Sequence, residues 1–171
     1  MTAVSLPEAE TLLACLEAGL RGRVPPDTCL VGIRTGGVWV AERLHGALGL
    51  SEPLGTLDVT LYRDDFGQRG LKGGGQASRL PFAVEGREIL LVDDVLYTGR
   101  TVRAALNLLF DYGRPGRVRL AALLDRGGRQ LPVCADFVGG VVELPQDTPM
   151  VILQRGADGR LSLALEGEGA A

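Results

Sequence analysis

The stretch from Glu88 to Thr101 limits most strongly what this chain can fold into. Ile89-Leu-Leu-Val92 is an uninterrupted apolar run, followed by Asp93-Asp94 and then a turn containing Tyr97, Thr98 and Gly99. A short aliphatic run without polar alternation is a strand buried on both faces, the kind found in parallel sheets covered by helices. From about Gly99, residues Val102, Ala105, Leu106 and Leu109 follow helical spacing, and Gly113-Arg-Pro-Gly116 closes that helix. Val118–Leu124 then reads as a second buried strand. Strand, helix and strand in this order form a parallel crossover unit.

The rest of the chain extends the pattern. Ser5-x-x-Glu8 has the form of a capping box with Pro7 in the first turn, which predicts an amphipathic helix over 6–21 that ends at Pro25-Pro26. Cys29–Ile33 is a strand, Arg34-Thr35-Gly36-Gly37 a turn, and Val38, Ala41, Leu44 and Leu48 mark a second helix. Leu57, Val59 and Leu61 alternate with polar residues at the period of a strand. Residues 64–78 are polar and glycine-rich, the composition of a functional lid or of disorder. Short strands follow Pro132, with a hairpin turn at Asp158-Gly159. The expected fold class is α/β, a mainly parallel central sheet flanked by helices. One domain spans 1–171, with a core over about 27–130 and a cap from about 1–26 and 131–165.

Composition removes several function classes. Hydrophobic residues make up 46% of the chain, enough for a packed core. A net charge of −3 does not suit a protein that gains its affinity by neutralising nucleic-acid phosphates. The basic groups Arg114, Arg117, Arg119, Arg126 and Arg129 fit a solvated face or a small-molecule phosphate site. No apolar run approaches the ~20 residues that span a bilayer, and MTAVSLPEAE lacks the features of a signal peptide, so a cytoplasmic enzyme is expected. Cys15, Cys29 and Cys134 have no metal-ligand spacing and read as small buried apolar residues. The single histidine, His45, excludes a histidine-rich metal site, and no serine sits in a nucleophile-elbow sequence.

Ligands of open parallel sheets bind beyond the carboxyl ends of the strands. Here two acids stand at that end, before a helix start whose unsatisfied N–H groups favour phosphate. Thr98 and Thr101 add hydroxyls, and Gly99 lets backbone approach closely. Two carboxylates beside a phosphate cradle make sense when a hydroxyl-bearing sugar lies between them. The pattern points to a sugar phosphate, and a nucleoside triphosphate P-loop is absent. Helix capping alone would need only one acid.

Val92-Asp-Asp-Val-Leu-Tyr-Thr-Gly-Arg-Thr-Val-Arg103 resembles the phosphoribosyl-diphosphate signature of type I phosphoribosyltransferases, and more narrowly the PyrR family, pyrimidine operon regulators and uracil phosphoribosyltransferases. The resemblance continues through Asp58–Asp65, Gly113-Arg-Pro115, Leu124–Gly127 with Arg129, Leu131 and Pro132, and Ala135–Gly139. It implies the type I phosphoribosyltransferase fold, with the cap as its hood. It implies a transferase making UMP and pyrophosphate from uracil and phosphoribosyl diphosphate. Asp93 and Asp94 would hold the ribose hydroxyls, and Val95, Leu96, Tyr97, Thr98, Gly99, Arg100 and Thr101 the 5′-phosphate. Arg34, Thr35, Gly36 and Arg63 would lie on the pyrophosphate side, Arg63 joining Asp93 and Asp94 in catalysis. Arg126 matches a ligand-contacting arginine, and Met150 the position whose backbone reads the base. Magnesium is the implied cofactor, carried mainly by the substrate with no direct protein ligand assigned. A homodimer or higher homo-oligomer is also implied.

Two departures qualify the resemblance. Gly36 stands where the family usually has a basic residue, and Arg34 is the neighbouring cation. Gly128, Cys134 and Gly140 stand where RNA-binding members have basic or hydrogen-bonding residues, and the first helix carries Glu8, Glu10 and Glu17. Messenger-RNA attenuation is therefore expected to be weakened. Two alternatives remain open at this point: a nucleotide-sensing RNA attenuator with little catalysis, and a phosphoribosyltransferase for another base, such as a purine.

Overall fold

The computed structural model describes residues 5–60 and 77–167. Five strands form one sheet: β1 (Cys29–Ile33), β2 (Gly55–Leu57), β3 (Glu88–Leu96), β4 (Arg117–Asp125) and β5 (Phe137–Val141). Their order is β2-β1-β3-β4-β5, and every neighbouring pair is parallel. β1 is buried along its whole length, as an all-apolar run must be when both faces are covered. Alternate residues serve opposite faces. Leu30, Leu90, Val92, Ala121 and Leu123 join a core with helices α1 (Ala9–Leu20) and α2 (Gly36–Leu48). Val31, Ile89, Leu91, Leu120 and Ala122 join a second core with helix α3 (Arg100–Asp111).

This arrangement fixes where a ligand can enter. β1 leads through α2 to β2 on one side, whereas β3 leads through α3 to β4 on the other. The central neighbours β1 and β3 therefore send their connections in opposite directions and over opposite faces. The crevice beyond their carboxyl ends is the topological switch point. A separate antiparallel hairpin, β6 (Val151–Arg155) and β7 (Leu161–Leu165), lies within the stretch expected as the hood and turns at Asp158-Gly159, as the sequence predicts.

Several local expectations shift. α1 begins at Ala9, not residue 6, and its N-cap is Glu8 in extended conformation without a side-chain cap bond. Pro7 disfavours helical geometry at Leu6, which removes the start that a cap at Ser5 requires. β2 stops at Leu57 because Asp58 Oδ1 accepts the Thr60 amide at 2.9 Å and the Thr60 hydroxyl at 2.6 Å, closing a turn. Val59 is buried outside the strand, and Leu61 lies beyond the described residues, as does 64–76 of the glycine-rich segment. β3 runs on through both acids to Leu96, because β4 stays paired with it as far as Asp125.

β5 extends the main sheet beyond the core boundary near 130. Asp136 Oδ2 accepts the Leu120 amide at 2.8 Å and docks the incoming chain. At Gly139 an added Cβ would lie 2.5 Å from the carbonyl oxygens of both Leu12 and Leu123, so only glycine lets α1 rest directly on the sheet. Arg119 is not on a solvated face. It is 8% exposed, paired with Glu88, bonded to the Arg23 carbonyl at 3.0 Å and stacked on Phe137. Of the cysteines only Cys29 is buried, where desolvation pushes its thiol pKa up; Cys15 and Cys134 are exposed. No helix among the described residues is long and apolar enough to cross a membrane.

Candidate active site

The switch-point crevice is a cavity of about 350 Å³, within the range of small-ligand sites. Its floor comes from the ends of β1 and β3. Arg34 leaves β1 with its amide bonded to Leu57 O at 2.8 Å and its Nη2 3.4 Å from Thr56 Oγ1. Its Nε is buried without a hydrogen-bond partner among the described residues, at the wall of the cleft. The Arg34–Thr35 peptide is cis.

On the neighbouring strand β3, Asp93 is 4% exposed and its Oδ1 accepts the Asp94 amide at 3.0 Å. Asp94 Oδ1 accepts the Val95 amide at 2.9 Å. Both residues line the crevice at the strand end. The other Asp94 oxygen lies against Gly36, where an added Cβ would stand only 2.1 Å from Oδ2. The first residue of α2 is thus glycine because the Asp94 carboxylate occupies the space a side chain would need.

The turn after β3 is held from outside the cleft. Gly99 caps α3 at φ 91°, a conformation glycine adopts without strain, and Thr98 Oγ1 accepts the Arg100 amide at 3.3 Å. The loop after β4 clamps this turn. Arg126 N donates to Leu96 O at 3.0 Å, and the amides of Gln130 and Leu131 both donate to Thr98 O at 3.0 Å. Arg129 spends its guanidinium on Tyr97 O at 2.5 Å and Asp125 Oδ2 at 2.6 Å. Such fixing outside the site aligns the turn before ligand arrives.

Of the residues chosen from sequence, the cleft wall brings together Arg34, Thr35 and Gly36, then Asp93, Asp94, Val95, Tyr97 and Thr101, and on the hood side Met150. Leu96 is 1% exposed and packs in the α3 core. Thr98, Gly99 and Arg100 lie on the turn but outside the cleft wall. Arg126 is 1% exposed, with its guanidinium on the carbonyls of Pro149 (3.0 Å) and Thr148 (3.4 Å). Arg63 is outside the described residues. The wall also contains Trp39, Thr60, Val151–Leu153 and Glu166, which sequence reading did not single out. Trp39 follows Gly36 by three residues on one helix, a usable spacing signal. Glu166 carries no such signal. It reaches the cleft through hood register, its amide bonded to Met150 O at 2.7 Å.

A phosphoribosyl transferase domain model matches residues 24–151. The bifunctional protein PyrR of Pseudomonas paraeruginosa is 48% identical over 167 residues, covering 95% of each chain. That of Ralstonia nicotianae is 50% identical over 147 residues, covering 86% of this chain and 84% of its own. The chain belongs to the PyrR family of phosphoribosyltransferases. Among solved structures, the hypoxanthine phosphoribosyltransferase of Trypanosoma cruzi aligns with a TM-score of 0.61 at 21% identity, covering 94% of this chain and 95% of that one. The Staphylococcus aureus hypoxanthine enzyme aligns with a TM-score of 0.60 at 20% identity, covering 88% and 81%. At those identities the likeness shows the fold, the type I phosphoribosyltransferase α/β fold.

In this PyrR-family chain the unusual glycines have structural partners. Gly128 has φ 73°, and a Cβ there would lie 2.3 Å from Tyr97 Cε2. At Gly140 a Cβ would lie 2.5 Å from Leu12 Cδ2 of α1. A basic side chain at either place would have to displace a neighbour.

Proposed function

We propose that this phosphoribosyltransferase joins uracil to the ribose of phosphoribosyl diphosphate, forming UMP and releasing pyrophosphate. The observation that carries the reading is Asp93-Asp94 at the switch point, beside Arg34–Gly36 in one cleft wall that also includes the turn after β3 and the β6–β7 hairpin. The bond from the anomeric carbon to pyrophosphate breaks with its electron pair leaving on pyrophosphate. A uracil ring nitrogen forms the new bond and releases its proton. Positive charge develops on the ribose as the bond breaks, so carboxylates fixed beside the ring stabilise that state more than the ground state. We assign the 5′-phosphate to the helix N-terminus at 95–101, whose N–H groups attract anions. Arg34 is the cation for departing pyrophosphate, with Arg63 assigned to the same side from sequence.

The donor set fits magnesium, which prefers oxygen ligands and keeps waters. Asp93 and Asp94 are oxygen donors in the cleft wall. Among the described residues no group of three or more His, Cys, Asp or Glu side chains comes together, so substrate oxygens would complete the shell. When bound, the ion would offset the negative charge of the pyrophosphate. On the base side, Met150 and Glu166 line the cleft, and the Glu166 amide donates to Met150 O at 2.7 Å. A cytoplasmic homodimer or higher homo-oligomer is proposed from the family resemblance.

The relatives are named bifunctional, and for this chain we assign RNA attenuation a weakened role. Arg129 is spent on Tyr97 and Asp125, Gly128 has the Tyr97 ring in the path of an added side chain, and Gly140 admits one only if the Leu12 side chain moves. Each lost phosphate contact reduces the salt-dependent part of RNA affinity. Competition among uracil, hypoxanthine and orotate for phosphoribosyl diphosphate tests the catalytic reading. Uracil should be consumed first; preference for either other base would overturn it. Binding of a pyrimidine-operon leader transcript, titrated against salt, tests the regulatory reading.

A further inference from the structure

Arg126 follows β4 and is almost wholly enclosed, at 1% exposure. Burying a guanidinium is unfavourable unless its charge and donors are satisfied. Here Nη1 donates to Pro149 O at 3.0 Å and Nη2 is 3.4 Å from Thr148 O, while Nε is buried without a hydrogen-bond partner among the described residues. The plane of the group lies over the Tyr97 ring, 4.2 Å from its centroid, a geometry that stabilises a desolvated cation. Its own amide donates to Leu96 O at 3.0 Å. The carbonyls belong to the two residues before Met150 on the hood side, whereas Tyr97 and Leu96 belong to the turn after β3. Arg126 thus touches both sides of the cleft, and its position is not part of the cleft wall.

We propose that Arg126 is a positioning residue, a strut that ties the base side of the cleft to the phosphate turn rather than a group that contacts ligand. The proposal rests on the assignment of the 5′-phosphate to 95–101 and of the base to Met150. Its physical content is that ordering one side orders the other. Phosphate bound at the turn fixes Tyr97; Tyr97 fixes the guanidinium; the guanidinium holds the 148–149 carbonyls and hence Met150. Gly128 belongs to the same device, since its backbone fills the space beside the Tyr97 ring and keeps it under Arg126.

The test compares wild type with Arg126→Met and Arg126→Lys by amide hydrogen exchange, with and without phosphoribosyl diphosphate, together with KM for each substrate. Arg126→Met keeps much of the side-chain volume and removes the fork. Exchange should quicken about tenfold in both 96–101 and 148–151 while 89–92 stays protected. Phosphoribosyl diphosphate should protect 148–151 in wild type but not in Arg126→Met. KM should rise for both substrates, with a smaller change in kcat, and Arg126→Lys should recover part of each effect. A rise in KM for one substrate alone, with exchange unchanged at the other segment, would overturn the strut and make Arg126 a ligand contact. If Arg126→Met does not fold, Arg126→Lys and Tyr97→Leu carry the same exchange comparison from the two sides of the stack. A wild type that turns over no base would count against the function assigned above, and exchange in the unliganded proteins would still decide the strut.

Discussion

Asp94 and Gly36 act as a pair. A Cβ at residue 36 would stand 2.1 Å from Oδ2 of the Asp94 carboxylate, which is proposed to hold the ribose. Adding charge to the first turn at this position therefore cannot leave the acid where it is. Gly36→Ala and Gly36→Arg should each lower kcat/KM about tenfold or more, since misplacing a catalytic group by an ångström is that costly. Thermal stability should change little. Steady-state kinetics with varied phosphoribosyl diphosphate checks this, and a rise in kcat/KM for Gly36→Arg would sink the pairing. Gly128 makes a similar claim. With φ at 73° and Tyr97 Cε2 in the path of a side chain, Gly128→Arg should lose about 1–3 kcal/mol of stability. It should also weaken phosphoribosyl diphosphate binding instead of restoring RNA affinity, as paired titrations with both ligands would reveal.

At the scale of elements, the attachment of α1 depends on pH through Glu10. Leu12, Leu13, Leu16 and Leu20 bury its apolar face, and Glu10 adds the polar anchor. Its carboxylate accepts from Arg43 at 2.8 and 3.2 Å and from the Leu161 amide at 2.8 Å, joining α1 to α2 and β7. The Arg43 hydrogen bonds, and then that amide, hold the Glu10 pKa below its ordinary value. A depressed acid contributes stability above its unfolded value and loses it as pH falls through the folded one. Glu10→Gln should therefore cost on the order of 1 kcal/mol at pH 7. The difference should begin to shrink as pH falls below the ordinary glutamate value of about 4.3 and vanish only below the depressed folded value. Thermal melts of both proteins at several pH values check the sign. Equal stability at pH 7, or a gap that persists in acid, would remove Glu10 from this role.

At the scale of the whole molecule, the legible parts were those written locally. Ile89–Val92 announced a buried strand because four apolar residues in a row admit little else, and the acids after it marked the crevice. Residues set by contacts distant in sequence were not legible. Glu166 enters the cleft through the β6–β7 register, and Arg126 turns inward because carbonyls 22 and 23 residues away are there to receive it. The start of α1 failed for a local reason, with Pro7 opposing the cap that Ser5-x-x-Glu8 suggested. The central claim is that Asp93 and Asp94 at the switch point support transfer of phosphoribosyl to uracil. Pyrophosphate release from uracil, phosphoribosyl diphosphate and magnesium, measured for wild type beside Asp94→Asn, tests it most directly. The expected result is turnover by the wild type and a loss of about 10²–10³-fold in the folded variant. No release by the wild type, or full activity in Asp94→Asn, would contradict the account.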